Sequence, residues 1–154
     1  MAAGDIVWFR QALLDLGVKR HDLTADTIKV GITTGVTTPS ATTADPRWGA
    51  GGTTNFSSEE VTTGTSYSAG GATLASVTWT LVSNVPTLRA TDPVIAQDAS
   101  GFTNGRYGII SNSTDAGKRA LGYIDLGSAR SIQTGSLTLN FGGAGTDVLT
   151  TTTP

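Results

Sequence analysis

The feature that most constrains the fold is a series of short segments in which apolar and polar residues alternate, separated by turn signals. The clearest spans 27–33, where Ile28, Val30 and Ile32 all point to one side of an extended chain. Similar segments follow, with glycine, proline or asparagine between them, at 74–82, 87–91, 106–110, 119–127 and 136–141. The segment at 119–127 is apolar on both faces, which predicts a central strand. This pattern favours a mainly β fold, an antiparallel β-sandwich or a jelly-roll-like barrel.

One short N-terminal helix is predicted over about residues 5–16. Its apolar residues recur at spacings of three and four and would form one stripe: Ile6, Phe9, Leu13 and Leu16. Asp5 is placed to cap the start of this helix, and Gly17 stands where a glycine commonly follows the last turn. About three turns are marginal alone in water, so the helix is expected to dock either on the domain's own sheet or on a neighbouring subunit.

A glycine pair, Gly70-Gly71, directly precedes the alternating segment at 74–82. Paired glycines allow a left-handed backbone or a close approach to a neighbouring strand. Because no charged or catalytic group accompanies the pair, we interpret it as a structural corner where a loop re-enters the sheet. Tyr67 and Trp79 are expected to pack near this corner and to fix the base of the loop.

That loop, at about 34–66, is rich in threonine, glycine and serine and shows little periodicity. Loops of such length in compact domains are usually functional or disordered. Arg47, Trp48 and Phe56 lie within it, and a tryptophan beside an arginine on an extended segment has the composition of an interface anchor. Two interpretations remain open: these residues contact a partner, or the aromatic rings pin the loop to its own domain.

Composition limits the classes of function. Charged residues make up 14% of the chain and the net charge is −2, without a basic block, so nucleic-acid binding is not expected. Cysteine is missing, which excludes disulfides and thiolate metal sites. No apolar run approaches the length of a membrane-spanning helix, and the start of the chain lacks the basic region of a signal peptide. We therefore expect one soluble domain over 1–154, with a β core at about 67–149 and a threonine-rich tail at 150–154.

No catalytic constellation is found in the sequence. His21 is the one histidine and lies among charged residues, so it is expected to be solvated and has no second imidazole for a zinc site. Glu59 and Glu60 are adjacent and would point to opposite faces of an extended segment. The glycine clusters match neither a dinucleotide-binding nor a phosphate-binding loop. The sequence predicts a protein that is not an enzyme and that carries no metal or cofactor.

The order of several short motifs resembles a family of small virion structural proteins of tailed bacteriophages. After the N-terminal helix come DTIKVGI at 26–32, GTSYSAGG at 64–71, RYGII at 106–110, ALGYIDLG at 120–127 and LTLNF at 137–141. The resemblance covers about residues 5–149, and relatives usually continue the last strand where this chain has Gly142 to Gly145. It implies a virion component, and we favour the head decoration or cement type, made in the bacterial host cytoplasm and placed on the outer capsid surface. Its partners would be the major capsid protein and itself, as a dimer or a trimer.

Two other roles are kept as alternatives. A receptor- or glycan-binding module on a head or tail fibre would use exposed aromatic rings, for which Trp48 and Tyr67 are the candidates. A tail or connector subunit would form rings or tubes instead of decorating a shell. The motifs do not distinguish head from tail.

Overall fold

The computed structural model describes residues 6–82, 84–141 and, for the backbone, 149–150. In this part of the chain the protein is mainly β with one α-helix, as the sequence predicts. The helix α1 spans Arg10–Gly17, and one 3-10 helix spans Phe56–Glu59. The strands are β1 Ile6–Trp8, β2 Ile28–Thr33, β3 Pro46–Arg47, β4 Thr54–Asn55, β5 Ala72–Thr73, β6 Thr78–Val82, β7 Val85–Arg89, β8 Val94–Ile95, β9 Gly105–Asn112, β10 Ala120–Arg130, β11 Leu137–Thr138 and β12 Leu149–Thr150.

A five-stranded antiparallel sheet with the order β1-β10-β9-β2-β5 forms the centre of the fold. Its three long strands follow the alternating segments of the sequence. Ile28, Val30 and Ile32 of β2 are fully buried, and β10 lies between two partners, as expected for a strand that is apolar on both faces. The predicted strands at 27–33, 106–110 and 119–127 are therefore confirmed.

The described residues also form three smaller sheets. In the described residues β12, β7 and β6 form an antiparallel sheet, β11 pairs with β8, and β3 pairs in parallel with β4. The segment at 136–141 is thus a strand over only two residues. The glycines at 142–145 lie outside the described residues, as does most of the expected tail, whose first residue belongs to β12.

The predicted helix is correct in type and wrong at both ends. Ile6 belongs to β1, where it pairs with Ile124, so the first turn expected from the apolar spacing is a strand. The helix begins after Phe9, which caps it without a side-chain hydrogen bond, and Asp5 lies outside the described residues. At the other end Gly17 is still helical, and the left-handed residue is Lys19, with φ of 60°.

The alternating segment at 74–82 also behaves differently from the prediction. Its strand is β6, which belongs to the three-stranded sheet and pairs only with β7 among the described strands. Leu81, expected in the core, is 70% exposed. Trp79 is half-buried and packs edge-on against Trp8, with ring centroids 6.0 Å apart. Period-2 alternation predicts a strand with one apolar and one polar face. It does not say which sheet the strand joins or which residues pack on its apolar face, so the pattern alone could not assign β6 to the three-stranded sheet.

The segment at 34–66 is held tightly against the domain. Thr34 N–H donates to the Glu59 carbonyl at 2.9 Å, and Val61 N–H donates to the Ile32 carbonyl at 3.0 Å, so both ends are tied to the edge of β2. Between them lie β3, β4 and the 3-10 helix. No helix in the described ranges is long and apolar enough to cross a membrane.

Candidate interaction surface

The predicted corner at the glycine pair is present and is built around a buried tyrosine. The Tyr67 hydroxyl accepts a hydrogen bond from Ile32 N–H at 2.7 Å and donates to Glu60 at 3.0 Å. The same Glu60 oxygen accepts from Gly70 N–H at 2.8 Å. Burial of the phenol raises the pKa of Tyr67, because the charged form would lose its solvation. This corner is therefore a neutral, hydrogen-bonded anchor for the base of the loop.

Both glycines of the pair have a left-handed backbone, with φ of 83° at Gly70 and 81° at Gly71. A Cβ at Gly71 would lie 2.2 Å from the Val30 carbonyl oxygen, whereas a Cβ at Gly70 would meet nothing within 4 Å. The second glycine is thus required both for its φ and for its close approach to β2. Trp79 packs against Trp8, and the ring that meets Tyr67 is Phe102, so the expectation for Trp79 at this corner is wrong.

Trp48 and Phe56 are core residues of this chain. Trp48 is 5% exposed and its ring lies against Gly31 of β2, while Phe56 is fully buried and stacks on Phe9 at 6.0 Å. Their burial overturns the interpretation of these two rings as exposed interface anchors and favours the alternative, in which they pin the loop. The sequence could not decide this, because the contacts come from β2 and from the residue before α1.

Arg47, the third candidate, has a side chain that is 15% exposed and is preorganised. Its Nε and Nη2 donate to the two carboxylate oxygens of Asp45 at 3.1 and 3.0 Å, a bidentate pair. This pairing holds the pKa of Arg47 above its usual value. Asp45 has a left-handed backbone, with φ of 37°. The guanidinium is therefore presented in one fixed orientation.

A cavity of about 330 Å³ opens beside Arg47, between α1 and the loop. It is lined by Gln11, Leu14, Asp15, Val18, Arg20, Asp45, Arg47 and Arg119. We name these residues the arginine cavity. Three guanidinium groups and two carboxylates meet there, so the lining carries one positive charge in excess.

Asp15 forms the floor of the arginine cavity. Its side chain is 4% exposed, and its Oδ2 has no hydrogen-bond partner in the described structure. Arg119 Nε lies 3.5 Å from that oxygen, and Arg20 Nε lies 3.9 Å from Oδ1. Arg119 is also held by Asp115 at 3.0 Å, whereas the Arg20 side chain is 49% exposed. Arg20 is therefore the cavity's most accessible cation.

His21 lies behind this floor and is buried, so the expectation of a solvated histidine is wrong. Asn112 lies 3.0 Å from its Nδ1, and its Nε2 lies 4.0 Å from Asp15 Oδ2 without a hydrogen bond. Burial lowers the pKa of His21, and the carboxylates of Asp15, Asp115 and Asp26 only partly oppose that effect. Neutral His21 is thus a structural member of the cluster.

The rim of the arginine cavity is apolar. Leu14 is 60% exposed and Val18 is 56% exposed, and Leu13 on the same helix is also exposed. The buried residues of α1 are Ala12 and Asp15, and Leu16 is partly buried against the core, so of the expected stripe Leu13 is the residue that turns to solvent. The adjacent leucines at 13 and 14 could have indicated an exposed apolar side chain, because neighbouring residues on a helix cannot share one narrow buried face.

This arrangement is suited to binding a charged group. Each carboxylate near the cavity lies beside a guanidinium group, and the buried histidine does not line it. In the part of the chain that the structure describes, no group of three or more His, Asp or Glu side chains is placed to hold a metal ion. Comparison with protein families, with curated proteins and with solved structures found no match to this chain.

Proposed function

We propose that this chain is a structural protein of a tailed-bacteriophage virion, a head decoration protein that binds the assembled shell of the major capsid protein. The observation that supports binding is the exposed apolar rim of α1 next to the arginine cavity. The resemblance of the ordered sequence motifs supplies the virion context. In this proposal the protein is made in the host cytoplasm, associates with itself as a dimer or trimer, and sits on the outer capsid surface.

Burial of the apolar rim would contribute favourably to the free energy of binding. Leu14 and Val18 are one helical turn apart, so they form a continuous patch on the outside of α1. Covering apolar surface contributes about 25 cal/mol per Å² removed from water. A partner side chain that packs between these two residues would also close the mouth of the arginine cavity.

The charges at the arginine cavity define the partner's chemistry. Arg47 and Arg119 already have carboxylate partners, while Arg20 is half exposed and lies 3.9 Å from the nearest Asp15 oxygen. A carboxylate beside an apolar side chain would therefore meet both the half-exposed guanidinium of Arg20 and the rim. We expect the contacting segment of the capsid protein to combine an apolar residue with an aspartate or glutamate.

The corner and the pinned loop support a rigid module. A preorganised surface loses less conformational entropy on binding, and many identical copies on one shell add their contacts by multivalency. Each contact can therefore be weak. The alternative of a glycan platform depended on Trp48 and Tyr67, and both rings are buried.

The test uses heads of the phage that encodes this chain, purified from particles in which its gene is deleted. Purified wild-type protein should co-sediment with the heads and restore their resistance to heat, and an electron-dense label on the chain should decorate the head. Leu14→Asp should weaken binding at least about tenfold, because the charge would have to be desolvated at the contact.

Val94→Asp is the matched control, since Val94 is 61% exposed on β8 and does not line the arginine cavity. It should bind as the wild type does. Label found on the tail, or equal binding by the two variants and the wild type, would refute the proposal. Binding to a glycan array by a protein that does not bind heads would support the fibre alternative instead.

A further inference from the structure

Among the described strands, β6 is an outer strand of the three-stranded sheet. It pairs with β7 on one side, and no described strand pairs with its other side. Its sequence, TWTLV, contains no charge, proline or glycine, and Leu81 on it is 70% exposed. Natural edge strands are usually protected from pairing by lysine, proline, a bulge or a covering segment. Strand β6 has neither lysine nor proline, and within the described residues no strand pairs with its outer side.

Pro86 identifies the main-chain groups that face outward. It lies opposite Leu81 in the β6–β7 pair and has no N–H to donate, which makes this a non-hydrogen-bonded pair. Hydrogen-bonded and non-hydrogen-bonded pairs alternate along an antiparallel ladder, so the Trp79–Leu88 pair is of the same kind. The N–H and C=O groups of Trp79 and Leu81 therefore point to the free side of β6.

We propose that β6 pairs with β6 of a second copy of this chain, antiparallel and about a two-fold axis at Thr80. In this register Trp79 of one copy lies opposite Leu81 of the other, and the reverse pair follows by symmetry. These are the residues whose main-chain groups face outward, so each pair exchanges both hydrogen bonds. The two three-stranded sheets become one continuous sheet.

Side chains and charge also favour a second copy as the occupant. Residues directly opposite each other project from the same face, so Trp79 of one copy covers the exposed Leu81 of the other. A residue on the axis faces itself, and a charge there would be repelled by its own copy. Thr80 is neutral, and β6 carries no charged side chain that could clash in this register. The strand is self-complementary.

The interface is short, so self-association should be weak and concentration-dependent in solution. The proposal names the surface for the self-association expected above and does not depend on capsid binding. It is therefore tested with the purified chain alone, and its failure would leave the head-binding experiment unaffected.

The first experiment is sedimentation velocity over a range of protein concentrations. Wild type should shift from monomer to dimer, and Thr80→Lys should weaken the dimer at least about tenfold, because like charges then face each other on the axis. Thr80→Glu should do the same, while a mixture of the two variants should regain dimers. Thr138→Lys is the control, since Thr138 is also an exposed strand threonine, on β11. A monomeric wild type, or a dimer unchanged by Thr80→Lys, would overturn the proposal.

The second experiment uses the lack of cysteine in the native chain. In the proposed register the two Thr80 Cα atoms form a non-hydrogen-bonded pair about 4.5 Å apart, within reach of a disulfide. Thr80→Cys should therefore oxidise to a covalent dimer much faster than Thr138→Cys at equal concentration. Equal rates for the two variants would contradict the two-fold register.

Discussion

Trp48 offers the sharpest test of how the long loop is held. Its ring is buried against Gly31, and the main-chain N–H of Trp48 donates to the Lys118 carbonyl at 2.8 Å. Burying an aromatic side chain removes about 150–250 Å² from water, which at about 25 cal/mol per Å² contributes about 4–6 kcal/mol. Truncation of buried tryptophan typically costs about 3–5 kcal/mol. We expect Trp48→Ala to lower the free energy of unfolding by that amount.

The assay is urea unfolding followed by far-ultraviolet circular dichroism, because the substitution itself changes tryptophan fluorescence. A loss of about 3–5 kcal/mol corresponds to a fall in Tm of roughly 6–20 °C for a chain of this size. Val36→Ala serves as the control: Val36 lies in the same loop and is 84% exposed, so its change should stay within about 0.5 kcal/mol. A loss below about 1 kcal/mol for Trp48→Ala would refute the core assignment.

A double-mutant cycle tests the contact itself. A Cβ at Gly31 would lie 2.2 Å from Trp48 Cη2, so Gly31→Ala should cost about 1–3 kcal/mol in the wild-type background. In the Trp48→Ala background the cavity left by the ring accommodates the added methyl group, and the cost should fall. Strictly additive losses would show that the two positions do not touch.

Three further predictions concern the corner and the buried cluster. Tyr67→Phe should lower the free energy of unfolding by about 1–3 kcal/mol in urea titrations, because it leaves a main-chain N–H of β2 without a partner and removes one of the two hydrogen bonds to Glu60 Oε1. Gly71→Ala should lower the melting temperature more than Gly70→Ala. Both glycines have a left-handed backbone, but only a Cβ at Gly71 would collide with a carbonyl oxygen. Equal losses of melting temperature would contradict this account. Because the pKa of His21 is lowered in the folded protein, the unfolded chain binds a proton at a higher pH than the folded chain does. The free energy of unfolding should therefore fall as pH drops through about 6.5, and His21→Gln should make it depend less on pH in unfolding titrations. An unchanged pH dependence in His21→Gln would argue against a buried neutral histidine.

The central sheet was predictable from the sequence because its strands carry their own pattern. Alternation at 27–33 and the apolar run at 119–127 each describe a strand whatever surrounds it, and both strands lie where expected. The helix was harder to bound, since Ile6 fits a helical spacing as well as it fits β1. When one apolar residue fits the pattern of a helix and also that of a strand, local periodicity cannot decide between them.

Most of the candidate surface could not be predicted from the sequence. The arginine cavity combines α1, the residues after it, the loop near Arg47, and Arg119 at the start of β10. No spacing in the chain relates these segments, and their meeting depends on the β3 contact with Arg119. Of the three predicted interface residues, only Arg47 lies at this surface. Burial of Trp48 and Phe56 follows from tertiary contacts that composition does not report.

The pairing of β1 with β10 has a consequence for how the protein is made. Ile6 is synthesised well before its partner Ile124, because most of the described chain lies between the two residues. The central sheet therefore cannot close until β10 has been synthesised, and β1 stays without its partner strand until then. Such non-local pairing slows folding to the range of milliseconds to seconds for β-rich domains. Nascent chains of this protein should accordingly depend on prompt release, or on chaperones, to escape aggregation when they are made in large numbers.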